Sequence, residues 1–368
     1  MSMDEKTEKT SQELKCRGCG AVLQFAPGTT NLKCIYCGAE NPIETSAAPI
    51  EEIDYNDFLR SEYDKEEKIE VASVKCKSCG AHVTLKPNVT SDDCPYCASS
   101  IVVSGGSTSK VLKPKSLLPF KITKKQASEK FQSWIKSLWF APNALKKNTS
   151  NEKLDGIYTP YWTYDAGTYS HYTGERGTYY YVTETYTTTE NGKTVTKTRQ
   201  VRKTRWTPVS GSVNVAFDDV LVVASHSLPG DYVQQLEPWH LGELLPYDDK
   251  YLSGFRTETY QVDVTTGLAT AKSIMSGVID SHVRSDIGGD EQRVHNVSTQ
   301  YSNISFKHIL LPIWISAYRF KEKVYRFLVN GQTGEVQGER PYSGWKIFFA
   351  ILTAAIIIVT IVVLLNNQ

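Results

Sequence analysis

Four Cys-x2-Cys pairs, all before residue 98, constrain this chain more than any other feature. Cys16, Cys19, Cys34 and Cys37 give C-x2-C-x14-C-x2-C, and Cys76, Cys79, Cys94 and Cys97 repeat that spacing 60 positions later. Lys15 and Lys75, Gly20 and Gly80, Ala21 and Ala81, Pro27 and Pro87, Thr30 and Thr90, and Tyr36 and Tyr96 recur at the same shift. The module is therefore duplicated. Two residues between cysteines let a tight turn present both sulfurs to one ion. Gly20, Gly38 and Gly80 follow the second cysteine of their turns and permit a positive φ; Ala98 takes that place in the fourth turn. The intervening residues form a hairpin that sets the second turn opposite the first. Four thiolates suit tetrahedral Zn²⁺ at about 2.3 Å, and four protein ligands leave no position for water, so such a site is structural. Units of roughly 30 residues need that help to fold. A rubredoxin-like iron centre shares the geometry. A redox CxxC would not come in paired pairs, and the spacing differs from the common iron–sulfur runs. The expectation is two structural zinc ions in rubredoxin-like ribbons over 13–43 and 73–104.

The 368 residues suggest two or three folded units, and a net charge of +1 argues against a protein that coats nucleic acid. Charge is blocked: residues 1–70 are acidic, 110–155 basic and 218–293 acidic. Each block reads as a solvated face or an interaction surface. The absence of cysteine beyond Cys97 argues for metal sites in a reducing compartment rather than a disulfide framework. Residues 1–12 are polar, are expected to be disordered, and lack the apolar stretch of a secretory signal. Residues 44–72 read as an acidic linker with a possible short helix.

From Ile347 to Leu365 the chain has no charge and only Thr353 and Thr360 as polar members. At 1.5 Å per residue these residues span about 28 Å, close to the hydrocarbon core of a bilayer. Trp345 and Lys346 stand at the near end, where an aromatic ring and a snorkelling cation are favoured. Residues 346–365 are expected to form a single transmembrane helix. Arg340 and Lys346 precede it, and with the reducing demand of the cysteines they place the bulk of the chain in the cytoplasm, tail-anchored in the cell membrane.

Between these ends, residues 111–345 read as an α+β body. Thr123-Lys-Lys-Gln126 is a capping box, followed by Ala127, Phe131, Trp134, Ile135 and Leu138 at helical spacing up to Pro142. A second helix is expected over about 264–284, with Val264, Leu268, Ala271, Met275, Val278 and Val283 on one side. Residues 157–224 alternate tyrosine, threonine and valine around Asn191-Gly192, a hairpin signal. Its returning strand carries Lys197, Arg199, Arg202, Lys203 and Arg205, a face that either blunts edge pairing or meets phosphates. Leu117-Leu-Pro-Phe120 and Tyr158-Thr-Pro-Tyr-Trp162 flank the first helix. Leu244-Leu-Pro-Tyr247 and Leu310-Leu-Pro-Ile-Trp314 flank the second. Two related β-α-β units, 111–225 and 226–340, are the reading, and Tyr325 to Gly334 reads as a last hairpin.

No catalytic motif emerges. The only Gly-Lys-Thr, 192–194, has Thr187 where a phosphate loop needs its first glycine. Neither H-E-x-x-H nor G-x-S-x-G occurs. His282 lies near an apolar helix face and reads as a core histidine. Ser225-His226-Ser227 near Asp218 and Asp219 invites a hydrolase reading that proximity in sequence does not support.

Together with the ribbons and the apolar end, the segments GIYTPYWTYDA (156–166), LLPIW (310–314) and VNGQTGEVQGERPYSGWK (329–346) resemble a family over nearly the whole chain. It is the bacterial TFIIB-type zinc-ribbon membrane proteins, encoded beside phage-shock protein A and flotillin-like SPFH proteins. The resemblance implies a non-enzymatic membrane platform that recruits SPFH-domain and phage-shock partners in envelope stress. It carries the eight cysteine ligands over and offers no catalytic residue to match. Neither a small-molecule substrate nor nucleic acid is expected. The alternative is a zinc-ribbon nucleic-acid-binding protein of replication or transcription.

Overall fold

The computed structural model describes residues 14–44, 49–60, 68–84, 91–97, 99–102, 107–143, 154–190, 192–228, 230–320 and 323–366. The segment expected to be disordered, 1–12, lies outside these residues, as do Ala98 and Asn191. Each cysteine module is a small antiparallel unit. In the first, β1 (Leu23–Phe25) pairs with β2 (Asn31–Cys34), and β2 with β3 (Glu40–Pro42). In the region read as an acidic linker, β4 (Ile53–Asp54) leads into α1 (Tyr55–Arg60). Asp54 caps α1 by accepting from the N–H groups of Asn56 and Asp57. Tyr55 and Phe58 are buried, and Phe58 meets Phe306 edge-on at 5.0 Å. Half of this segment is thus docked on the body. In the second module, β5 (Lys68–Lys75) pairs with β6 (His82–Thr84) and β9 (Ser107–Leu112), while β7 (Ser91–Asp93) pairs with β8 (Ser100–Val102).

The body follows in the order β10 (Ser116–Leu117), α2 (Lys124–Ser137), β11 (Asp155–Glu190), β12 (Lys193–Val223), α3 (Gly230–Gln234), β13 (Leu245–Pro246) and β14 (Arg256–Thr257). It ends with α4 (Val264–Ile287), β15 (Glu291–Phe320), β16 (Lys323–Asn330) and β17 (Val336–Gly338). Nine strands make one sheet with the central order β12-β11-β15-β10-β13. β14 joins β11, β4 and β16 join β15, and β17 joins β16.

Tyrosine and threonine alternation becomes strands of unusual length. β11 pairs with β15 from Asp155 to Gly177, then continues with β12 alone to the turn at Gly192, whose φ is +74°. Residues 178–205 therefore form a two-stranded arm about 40 Å long. Both faces of the arm meet water, so neither needs an apolar side.

The helices carry the apolar faces. Thr123 caps α2 with the full capping box: Gln126 N–H donates to Thr123 Oγ1, and Thr123 N–H to Gln126 Oε1. Ala127, Phe131 and Ile135 are buried, and Phe131 stacks on Phe327 of β16. α4 runs to Ile287 and buries Val264, Leu268, Ala271, Met275, Ile279, Val283 and Ile287. Val278, expected on that face, is exposed, and Ile279 takes its place. Four residues on from Met275 is nearer one face of a 3.6-residue helix than three residues on when Val283 and Ile287 follow at four-residue steps. His282 is exposed as well, not a core histidine.

Equivalent sequence motifs face each other across the β11–β15 pair. Pro160 stands opposite Leu310 and Pro312 opposite Tyr158. Trp162 Nε1 donates to Val262 O, one residue before the Asp263 cap of α4. Trp314 Nε1 donates to Ile122 O, one residue before the Thr123 cap of α2. A tryptophan on β11 thus pins the start of α4 and a tryptophan on β15 the start of α2, both at 2.8 Å.

After β17 comes α5 (Gly344–Asn366). Among the described residues it is the one helix long and apolar enough to cross a membrane, with mean hydropathy 3.2 in its most apolar 18-residue window and none of that window buried.

Candidate metal centres

All eight predicted cysteines converge in two clusters. Cys16, Cys19, Cys34 and Cys37 bring their sulfurs within 4.8 Å of one another, and so do Cys76, Cys79, Cys94 and Cys97. The nearest approaches are 3.4 Å (Cys16–Cys37), 3.5 Å (Cys19–Cys34), 3.6 Å (Cys79–Cys94) and 3.8 Å (Cys76–Cys97). A disulfide needs about 2.0 Å. A tetrahedron with bonds of about 2.3 Å has edges of about 3.8 Å, so the sulfurs stand where four ligands of one such ion would.

Local backbone explains the convergence. Gly20 N–H donates to Cys16 O, Gly38 N–H to Cys34 O and Gly80 N–H to Cys76 O, closing three of the turns at 2.8–3.0 Å. These glycines have φ of +74° to +79°, which a side chain would strain. Inside the turns, N–H groups point at sulfur. Those of Cys37 and Tyr36 hold the Cys34 thiol down at about 6. Those of Cys19 and Gly18 lower Cys16. At Cys97 burial works the other way, yet hydrogen bonds from Ser99, Cys79 and Cys94 together outweigh it and leave the thiol at about 7. Thiolate is the form that binds metal, and such donors favour it at these three cysteines; neighbouring thiols push Cys19 and Cys37 up, and burial pushes Cys79 and Cys94 up.

Both clusters are docked on one short piece of the body, residues 251–258. From the first module, Phe25 N–H donates to Ser253 O, Ser253 Oγ donates to Leu23 O, and Phe25 meets Tyr251 edge-on at 5.0 Å. From the second, Asp92 pairs with Arg256 at 2.7 Å. Tyr96, between Cys94 and Cys97, donates to Glu258 Oε2 at 2.9 Å. Glu258 is buried and also accepts from Ser225, Ser227 and Gln261. The serines that invited a hydrolase reading thus turn to Glu258, a residue with no signal in the sequence.

The two modules then diverge. Tyr36 and Tyr96 are equivalent in the repeat, but Tyr36 is 78% exposed and Tyr96 2%. Val22, Ile35 and Tyr36 leave an apolar surface around the first cluster open to solvent, while Tyr96 and Ile101 fix the second into the core.

A third acidic group, Asp165, Asp218 and Asp219, is close enough to hold a cation. It already has one: Lys307 Nζ lies 2.8 Å from Asp219 and 3.0 Å from Glu52. On the arm, Arg202 lies over Tyr179, Arg199 over Tyr186 and Arg205 over Tyr180 at 4.1–5.6 Å, and Arg199 and Lys203 flank Glu184.

No protein-family model matches the chain, and no solved structure does. The chain is 25% identical over 334 residues to the uncharacterized protein YdjG of Bacillus subtilis (strain 168), covering 90% of this chain and 91% of that protein.

Proposed function

We propose that the protein is a membrane-held zinc-ribbon scaffold that captures partner proteins on its first ribbon. Each four-cysteine cluster holds one structural Zn²⁺, and α5 crosses the cell membrane with the body on the cytoplasmic side. The observation that carries the reading is the contrast between the ribbons. The second buries its apolar residues in the body, whereas the first holds Val22, Ile35 and Tyr36 outward beside its cysteine turns. Exposed apolar residues on a fixed frame are what a protein partner buries at an interface. Following the family resemblance, the partners are SPFH-domain and phage-shock proteins acting in envelope stress, and the scaffold does no chemistry of its own.

The test is crosslinking in native membranes followed by mass spectrometry, with wild type and Ile35→Ala/Tyr36→Ala. Both forms should carry two zinc ions per chain, and the double variant should lose its crosslinked partners. Equal recovery of partners from both would remove the first ribbon as the docking surface.

A second reading, nucleic-acid binding, draws support from the arm. Residues 178–205 carry six cations against two carboxylates, interleaved with tyrosines. Binding through that arm would weaken steeply with salt.

A further inference from the structure

The first turn of α5 is fastened to the end of α2. Lys346 Nζ donates to the carbonyl oxygens of Trp139 at 3.2 Å and Ala141 at 2.8 Å, and to Asn143 Oδ1 at 2.8 Å. Ser343 N–H donates to Phe140 O at 2.8 Å. The residues on either side of Trp139-Phe140, Leu138 and Ala141, are buried in the same core cluster as Phe131 and Phe327. The segment is therefore held from both sides. Even so, Trp139 is 80% exposed and Phe140 40%.

Two large rings fixed outward lose the burial that ordinarily stabilises an aromatic side chain. Their position identifies what covers them. Lys346 immediately precedes Ile347, the first residue of the uncharged 19-residue stretch. When that stretch, about 28 Å long, fills a hydrocarbon core of about 30 Å, Lys346 stands at its boundary. The Trp139 carbonyl, within hydrogen-bond distance of the Lys346 ammonium, must then lie at the same depth. Tyr342 and Trp345 are exposed at this level too. Aromatic rings collected at one depth beside a span match the amphipathic layer between headgroups and acyl chains.

We propose that Trp139 and Phe140 insert into the lipid interface beside α5, as a second, non-spanning membrane contact. This rests on the reading of α5 as a membrane helix. A body held by one helix and a short connection pivots about it. Two contacts at one depth fix its tilt and its rotation about the membrane normal, and with them the direction of the arm.

The experiment uses the full-length protein in phosphatidylcholine vesicles containing lipid brominated at carbons 6 and 7, and reads tryptophan fluorescence. The chain has seven tryptophans, of which Trp139 and Trp345 are the two placed at the interface. The lipid should quench part of the wild-type emission. Trp139→Phe and Trp345→Phe should each remove about half of the quenched part, and the double variant nearly all of it. Lipid brominated at carbons 11 and 12 should quench both rings less. If Trp345→Phe abolishes quenching while Trp139→Phe leaves it intact, Trp139 faces water or a protein and the proposal falls while the anchor stands. If wild type shows no quenching, the anchor itself is wrong and the proposal falls with it.

Discussion

Glu258 shows how much one carboxylate can set at the residue scale. Burial pushes its pKa up to about 7, while donors from Ser227, Ser225, Tyr96 and Gln261 pull the other way. The folded protein therefore holds this proton more tightly than the unfolded chain, where a glutamate titrates near 4.3. Stability contributed by the protonated form is complete below that value. It is lost as pH rises through about 7, where the buried carboxylate ionises. The whole effect is on the order of 3 kcal/mol. Glu258→Gln keeps the shape and an acceptor oxygen, and removes the titration. Denaturant midpoints should show the variant gaining on wild type between pH 5 and pH 8. Two curves that run parallel would mean that Glu258 does not ionise in this range. None of this was legible in the sequence. Glu258 is one acid in an acidic stretch, and its partners come from the second ribbon, the end of β12 and its own loop. The cysteines were legible because their chemistry is written in spacing: ligands for one ion must come in close pairs, and pairs show in a single sequence.

At the scale of elements, two glycines of α4 make opposite predictions. Gly267 lies against the sheet, where a Cβ would meet the Tyr164 hydroxyl at 2.4 Å and Trp162 at 3.0 Å. That hydroxyl is itself fixed, donating to Val264 O at 2.6 Å. Gly277 faces solvent with nothing within 4 Å of the place of a Cβ. Alanine in a helix is favoured over glycine by roughly 0.5–1 kcal/mol. Gly277→Ala should therefore stabilise by about that amount. Gly267→Ala should destabilise by about 1–3 kcal/mol, because overpacking of a buried ring outweighs the propensity gain. Thermal unfolding of the two variants checks the sign of each; a stabilising Gly267→Ala would mean that α4 does not pack against the sheet this closely. Local signals were readable here: the Thr123–Gln126 box, the Gly192 turn, and the last hairpin into β17. The reach of β11 and β12 was not. Alternation reports a strand, but it does not tell where a third strand stops pairing, and that is fixed by where β15 begins, at Glu291 opposite Gly177. The α4 face was misjudged at Val278 and His282, where neighbouring positions differ by 100° and the sequence does not mark the edge of the apolar face.

For the whole molecule, the decisive arrangement is that the two cysteine clusters and the span-length apolar helix belong to separate parts of one frame. Every cysteine lies before residue 98, and the core between α4 and the β11, β12 and β15 strands is aromatic and aliphatic without a thiol, whereas the cores on α2 and on the opposite side of the sheet take in buried cysteines at their edges. The modules touch this frame at residues 251–258, through Gly28 N–H, which donates to Phe120 O, and through buried residues such as Leu32 and Ile101 that pack into the body's core. A structural zinc site contributes about 10–16 kcal/mol in small domains, comparable to or above the roughly 5–15 kcal/mol that holds a whole domain folded. Losing the ion should therefore unfold each ribbon and leave the body standing. Chelation of the full-length protein in detergent is expected to open residues 14–43 and 73–102 to protease, while β4 and α1 stay docked and most of the β-sheet circular dichroism survives. Hydrogen exchange should rise in 251–258, which loses Phe25, Leu23, Asp92 and Tyr96 as partners, and stay low in the β11–β15 ladder. Removing one ion at a time separates the two docks. Cys34→Ser should expose the Tyr251 and Ser253 side of the segment. Cys94→Ser should leave Glu258 without the Tyr96 hydroxyl and Arg256 without Asp92, the costlier loss because Glu258 is buried and the Arg256 cation nearly so. Collapse of ribbons and sheet in a single transition after chelation would show instead that the ions hold the entire fold, and that the body is no independent frame.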